Sequence, residues 1–451
     1  MKQYNDLVFY HVYPLGFCGA PDRNDFSAPA VNRLDKLHGW IGHMKNLGVN
    51  ALYLGPVFES SAHGYDTADY YWVDRRLGTN ESLRNLAEAL HSNGIKVILD
   101  GVFNHVGRNF WAFRDVQQNR QASAYCGWFH GLDFSRTSPC GDPFSYEGWN
   151  GHYDLVKLNL KNPQVKSHLL EAVRMWIEDL GIDGLRLDAA DCVDMDFMRE
   201  LSAFTKGIRS DFFLLGEVIH GDYRQWANPQ MLDSVTNYEC YKGLYSSLND
   251  KNYFEIAYAL NRQYGEHGMY KNIPLYSFTD NHDVNRVASQ LKNKNHLYPL
   301  YCLLFTMPGM PSIYYGSEWG VEGVRTNNSD KPLRPCLELQ AYESNGHSDL
   351  YRAISRLSKL RNALPALKYG SYRTLFTGPE QFAFLRETQE ESILVILNSS
   401  QHAAELTLEI KGMKYNSYTD LLNEGQYNAE NGRLRFDNLY PNWALVLKGK
   451  R

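Results

Sequence analysis

The chain has 451 residues, 43% of them hydrophobic and 22% charged, with a formal net charge of −5. That length exceeds one compact core of ordinary size and predicts two or three domains, one of them large. The slightly acidic balance leaves no basic footprint for nucleic acid, and no apolar run approaches the roughly 20 residues of a membrane span. The seven cysteines are scattered, with no C-x-x-C pair, which favours reduced thiols in the cytosol. Cys126 and Cys140 lie near enough in sequence to pair. Aromatic residues make up 14%, with 31 tyrosines and 9 tryptophans, which suits a large core or stacking surfaces for sugars.

The N-terminal stretch "MKQYNDLVFYHVYPLG" is broken by His11 and lacks a small-residue cleavage site. It reads as a first strand, not a signal peptide. Further β-rich runs follow at "NALYLGP", "KVILDGVF", "GLRLDA", "FFLLGEV", "SVTNYE", "LYSFTDN" and "PSIYYG". Amphipathic segments such as "DKLHGWIGHMKNLG", "ESLRNLAEALHSNG", "PQVKSHLLEAVRMWIEDLG" and "DMDFMRELSAFTKGIR" separate most of them, several ending in glycine. Eight strands alternating with helices predict a parallel α/β sheet closed as a (β/α)8 TIM barrel, with a doubly wound open sheet as runner-up. Between the third run and "PQVKSHLL" lie about 55 residues without helical period, too long for an ordinary βα loop. After residue 365 short strands with turns predict an antiparallel β-sandwich. The expected domains are residues 1–105, the first part of the barrel; 106–160, a small inserted domain; 161–365, the rest of the barrel; and 366–451, the C-terminal sandwich.

In a barrel, reactive groups sit where strands end. The third run ends in Asp100, Asn104 and His105, the fourth carries Arg186 and Asp188, the fifth ends in Glu217, and the seventh in Asp280, His282 and Asp283. One such carboxylate is often a helix cap. Carboxylates from three strands on one rim converge over the barrel mouth. They could hold a divalent metal, although no spaced ligand pair supports that. They could also cleave a glycosidic bond, which in a retaining enzyme needs a nucleophile and an acid about 5 Å apart. Arg186 and Asp188 are two residues apart, so on a strand they share a face. The guanidinium is expected to hold Asp188 charged.

These runs, "DGVFNH", "GLRLDAAD", "LLGEV" and "FTDNHD", resemble in order and spacing the four motifs of the α-amylase superfamily, glycoside hydrolase family 13. The resemblance covers the chain from first to last strand. It implies a barrel with a domain inserted after the third strand, a C-terminal β-sandwich and retaining cleavage of α-glucosidic bonds. It implies Asp188 as nucleophile, Glu217 as general acid/base and Asp283 as the carboxylate that grips and distorts the sugar. Arg186, His105 and His282 match positions lining the same subsite. "HGYDTADYY" supplies Tyr65 as a stacking ring with His63 and Asp66 beside it, and "SDKPLRP" supplies Asp330 and Arg334 for the next sugar.

Within the superfamily the wording is similar to the cyclomaltodextrinase, neopullulanase and maltogenic amylase group. Departures fall at Asp191 and Cys192 after the nucleophile, and at Ile219 and His220 after the acid/base. The group's N-terminal β domain has no counterpart here, which favours an open monomer cutting linear maltodextrins. Lys157 stands where a calcium-binding aspartate is usual, so no metal and no other cofactor is expected. A non-catalytic scaffold is disfavoured by the three acids, while transglycosylation and α-1,6 cleavage stay open. No nucleic-acid or membrane partner is expected, and the expected location is the cytoplasm.

Overall fold

Side-chain alternation along eight short strands decides the architecture. The computed structural model describes residues 4–327, 329–345 and 348–450. The strands are Phe9–Val12, Ala51–Leu54, Lys96–Gly101, Gly184–Leu187, Phe213–Gly216, Ser234–Val235, Tyr276–Phe278 and Met310–Tyr314. They pair in parallel, in the order seventh, eighth, first, second, third, fourth, fifth, sixth. A parallel bridge from Thr236 to Tyr276 joins sixth to seventh and closes the ring. The fold is therefore a (β/α)8 barrel, not an open sheet.

Phe9, Ala51, Tyr53, Ile98, Phe213, Leu215, Tyr276, Phe278 and Met310 form the barrel's inner core. Their neighbours Tyr10, Leu52, Val97, Leu99, Leu185, Leu214 and Ile313 pack outward with the helices. This is the period of two that a pleated strand imposes. Toward the C-terminal strand ends the inward positions turn polar: His11, Asp100 and Arg186, all buried.

The predicted helices form, with one change. "DKLHGWIGHMKNLG" opens as a 3₁₀ helix over Arg33–Trp40, becomes α over Ile41–Leu47, and stops at Gly48 with φ of 79°. Asn80–Ser92 is capped by Thr79, which exchanges bonds reciprocally with Ser82. Pro163–Glu178 starts on an Asn162 cap with proline in its first turn, and Met195–Ile208 starts on an Asp194 cap.

After the third strand the chain enters a three-stranded antiparallel sheet of His105–Gly107, His152–Lys157 and Gly148–Trp149. The same excursion holds a helix, Trp111–Asn119, that its sequence did not announce. Only Ala112, Phe113 and Val116 bury there, too few to print a helical period.

The C-terminal part pairs a six-stranded sheet with the two strands Ala404–Glu409 and Arg433–Leu439. Its strand Ser392–Asn398 is buried along its whole length. Leu394 and Ile396 pack with Leu406, Leu408 and Phe436 of the second sheet. Ile393, Val395 and Leu397 join the core of the barrel. A strand covered on both faces shows no polar alternation, hence the unbroken run "SILVIL". All seven cysteines are free, Cys126 and Cys140 included. Among the described residues no helix is long and apolar enough to cross a membrane.

Candidate active site

Strand register brings three carboxylates to one guanidinium. Asp100 and Arg186 are register partners of the third and fourth strands. Arg186 Nη1 donates to Asp100 Oδ1 and Oδ2 at 2.9 and 3.1 Å and to Asp188 Oδ1 at 2.9 Å. Nη2 of the same group stands 2.7 Å from Glu217 Oε2. Asp188 and Glu217 thus lie within the span of a single side chain. Its charge is divided among three acids, because the register places Asp100 opposite it.

Two local features aim the pair. Ala189 has φ of 43° and ψ of 48°, a left-handed conformation that costs an L-residue about 1–2 kcal/mol. The turn points the Ala189 N–H at Glu217 Oε2, 3.1 Å away, and the Ala190 N–H at the Glu217 carbonyl, 2.9 Å away. On the fifth strand a Cβ at Gly216 would stand 2.4 Å from Leu232 and 3.0 Å from Ala190. Only glycine lets the strand end approach the Ala189–Ala190 turn this closely.

Burial pushes the Asp188 carboxyl well above the usual carboxylate range; the Glu217 and Asp100 charges add to this, and Arg186 opposes it. For Asp283 burial also pushes upward, but His282, Arg334 and Arg186 outweigh it and hold the carboxyl well below its ordinary range. Burial lowers the His105 pKa to about 3, so its imidazole is neutral. Its ring meets the Tyr65 backbone carbonyl, and its Nδ1 lies 3.3 Å from Asn104 Nδ2. Its Nε2 faces Asp188 Oδ2 at 3.9 Å and has no hydrogen-bond partner.

On the opposite wall, Asp283 accepts from His282 Nε2 and from Arg334 Nη2, each at 2.9 Å. Arg334 also stands 3.3 Å from Asp330, so the four-apart pair is formed. Arg325, absent from the sequence reading, is the nearer partner of Asp330 at 2.5 Å. The Tyr65 hydroxyl donates to Asp100 Oδ2 at 3.0 Å and contacts His282 Nε2. The His282 ring is nearly parallel to the rings of Tyr65 and Tyr13, at 5.5 and 5.8 Å between centroids.

These groups border a cleft of about 930 Å³ whose walls include His63, Tyr65, His105, Asp188, Glu217, Asp283, Asp330 and Arg334. Three expected sugar-lining residues do not reach its surface. Arg186 and His282 are buried under its floor, where they hold the carboxylates. Asp66 is also buried, taking the backbone N–H groups of His63 and Gly64, so it shapes the turn below Tyr65. Asp280 likewise turns away, accepting from Ser317 and the Val287 N–H.

The inserted sheet supplies the facing wall with Glu147, Trp149 and Lys157. Asp191, Cys192 and Ile219 continue it, Ile219 being 44% exposed. Lys157 pairs across the strands with His105 and binds Glu147 at 2.5 Å. Among the described residues no group of three or more His, Cys, Asp or Glu side chains could hold a metal ion.

A barrel rim that gathers two carboxyls under one guanidinium, with a third acid and an aromatic wall beside them, defines a glycoside hydrolase. Residues 32–350 match the family description "Alpha amylase, catalytic domain", and residues 372–441 match "Maltogenic Amylase, C-terminal domain". The chain belongs to the α-amylase family. It is 33% identical over 421 residues to a cyclomaltodextrinase of a Bacillus species, covering 88% of this chain and 73% of that one. A solved cyclomaltodextrinase superposes with a TM-score of 0.87 at 29% identity, covering 99% of this chain and 78% of the other. The cyclic α-maltosyl-(1→6)-maltose hydrolase of Arthrobacter globiformis superposes with a TM-score of 0.82 at 27% identity, covering 99% of each chain.

Proposed function

We propose that this α-amylase family hydrolase cleaves α-1,4-glucosidic bonds in maltodextrins and starch-type oligosaccharides with retention of configuration. The observation that carries the reading is the single guanidinium bridging Asp188 and Glu217. Asp188 attacks the anomeric carbon while Glu217 protonates the departing glycosidic oxygen, leaving a sugar esterified to Asp188. Glu217, now a carboxylate, takes a proton from water as the water attacks the same carbon. The α-anomer leaves and Asp188 is restored.

The surroundings have parts in that cycle. The unpartnered His105 Nε2 is free to hydrogen-bond a sugar hydroxyl beside Asp188. The free face of Tyr65 stacks on the same ring, and Asp283, kept ionised, accepts from its hydroxyls. Asp330 and Arg334 hold the next sugar. Lys157, tied to Glu147, puts a fixed cation in the inserted sheet and supports a metal-free mechanism. Seven free thiols support a reducing, cytoplasmic setting.

A second reading is α-1,6 cleavage. It is favoured by the exposed Ile219 on the leaving-group wall. Product analysis on maltoheptaose, β-cyclodextrin, pullulan and starch side by side separates the readings. Maltoheptaose cut fastest supports the first. Pullulan opened only at its α-1,6 links would replace it with the second.

A further inference from the structure

We propose that Tyr238, aligned by Asn281, is a positioning residue that orients the carboxyl of Glu217 and the proton it transfers. The inference rests on Glu217 being the acid/base and goes beyond it to the groups that orient its carboxyl.

The hydrogen-bond directions follow from what each atom can do. The Asp283 N–H, which can only donate, reaches Asn281 Oδ1 at 2.8 Å. Asn281 therefore turns Nδ2 toward the Tyr238 hydroxyl, 3.1 Å away. An amide N–H also only donates, so the phenol oxygen accepts there. The phenol hydrogen is left for Glu217 Oε1, at 3.4 Å. The relay runs from the Asp283 backbone through Asn281 and Tyr238 to the carboxyl of another strand.

The other oxygen of Glu217 is already committed. Oε2 meets Arg186 Nη2 at 2.7 Å and the Ala189 N–H at 3.1 Å. Two donors leave no place for a proton on Oε2, so the transferable proton resides on Oε1. Tyr238 occupies one lone-pair direction of Oε1 and leaves the other for the proton. A hydrogen bond donated to a carboxylate favours its ionised form. The 3.4 Å length makes the effect modest.

The tyrosine is fixed by its own surroundings. It is the first residue of the helix Tyr238–Asn249, whose cap Asn237 accepts the Cys240 N–H. Its ring stands edge-on to Phe278 at 5.0 Å and to Tyr241 at 5.9 Å. Burial and the charges of Glu217 and Asp283 keep the phenol protonated, so it remains a donor.

The test compares the parent with Tyr238→Phe and Asn281→Ala, recording kcat/KM against pH on maltoheptaose and on α-maltosyl fluoride, whose leaving group needs no proton. Tyr238→Phe should move the basic limb on maltoheptaose upward by at least about half a pH unit. Its rate loss at neutral pH should be several-fold larger on the oligosaccharide than on the fluoride. Asn281→Ala should shift the limb in the same direction by less, which keeps the test alive if the first variant folds poorly. An unmoved limb, with equal losses on both substrates, would reduce Tyr238 to a packing residue and overturn the inference. Glu217→Gln is run beside them. Oligosaccharide cleavage at the parent rate in that variant would sink the acid/base assignment itself. If Glu217→Gln spares only the fluoride while Tyr238→Phe leaves the limb in place, the Tyr238 inference fails alone.

Discussion

Asp100 and Arg186 face each other in register across the third and fourth strands, and both carboxylate oxygens of Asp100 lie within 3.1 Å of one guanidinium nitrogen. Their contact answers why a buried strand carries an arginine. Asp100 anchors Arg186, and also accepts from Tyr53 and Tyr65. Arg186 is left with Nη2 and one direction of Nη1 for the two carboxyls above.

The first prediction concerns those carboxyls. Asp188→Asn should keep its circular dichroism and melting behaviour while losing at least about a thousandfold in kcat, as removal of a covalent nucleophile does. Glu217→Gln should lose about 10²–10⁴-fold on oligosaccharides, the usual range for a general acid. Substantial turnover by purified Asp188→Asn would remove the nucleophile assignment.

Charge sharing makes a signed prediction for pH. The Asp100 carboxylate is one of the charges raising Asp188, and it competes for Arg186. Asp100→Asn keeps the shape and removes one negative charge, so the raised Asp188 carboxyl should lose its proton at lower pH. The acidic limb of kcat/KM should move downward. An upward shift in the measured profile would mean that Asp100 does not act on the pair through charge.

Backbone strain at Ala189 gives a third. Ala189→Gly relieves a left-handed conformation and should fold at least as well as the parent, with activity within a few-fold. Ala189→Val puts a β-branched side chain where φ is positive, and should lose about 1–2 kcal/mol of stability together with most activity. Denaturant melts and steady-state rates on the same samples check both. Equal stability of the two variants would show that the strain is not stored there.

The buried histidine predicts how stability depends on pH. The His105 pKa is about 3 in the folded chain, against about 6.5 when unfolded. As pH falls, the unfolded chain takes the proton first. The stability from keeping this ring neutral is complete above about pH 6.5 and is lost as pH falls toward about 3, by up to about 1.4 kcal/mol per unit. His105→Gln should lose stability less steeply between about pH 7 and about pH 5. Parallel curves in urea titrations would contradict the buried, neutral assignment.

The sequence carried the parts that depend on period and on strand ends. Arg186 and Asp188, two apart in an apolar run, announced their shared inward face because a pleat alternates strictly. The eight barrel strands were legible for the same reason. Contacts between distant loops were not. Tyr238 meets Glu217 because neighbouring strands end side by side, and no local pattern records that a phenol twenty-one positions later finishes at a carboxylate. Arg325 escaped notice because its loop has no period, although it is closer to Asp330 than Arg334 is. The short helix Trp111–Asn119 was missed because it offers few buried positions. Burial of Arg186, His282 and Asp66 under the cleft floor depends on side-chain depth, which strand parity does not fix.

The most direct test of the central claim is the configuration of the first sugar released. Proton NMR of maltoheptaose mixed with a high concentration of enzyme reads the anomeric signal before mutarotation. Two displacements at one carbon, by Asp188 and then by water under Glu217, predict the α-anomer first. Initial accumulation of the β-anomer would mean a single displacement by water, and would contradict Asp188 as a nucleophile.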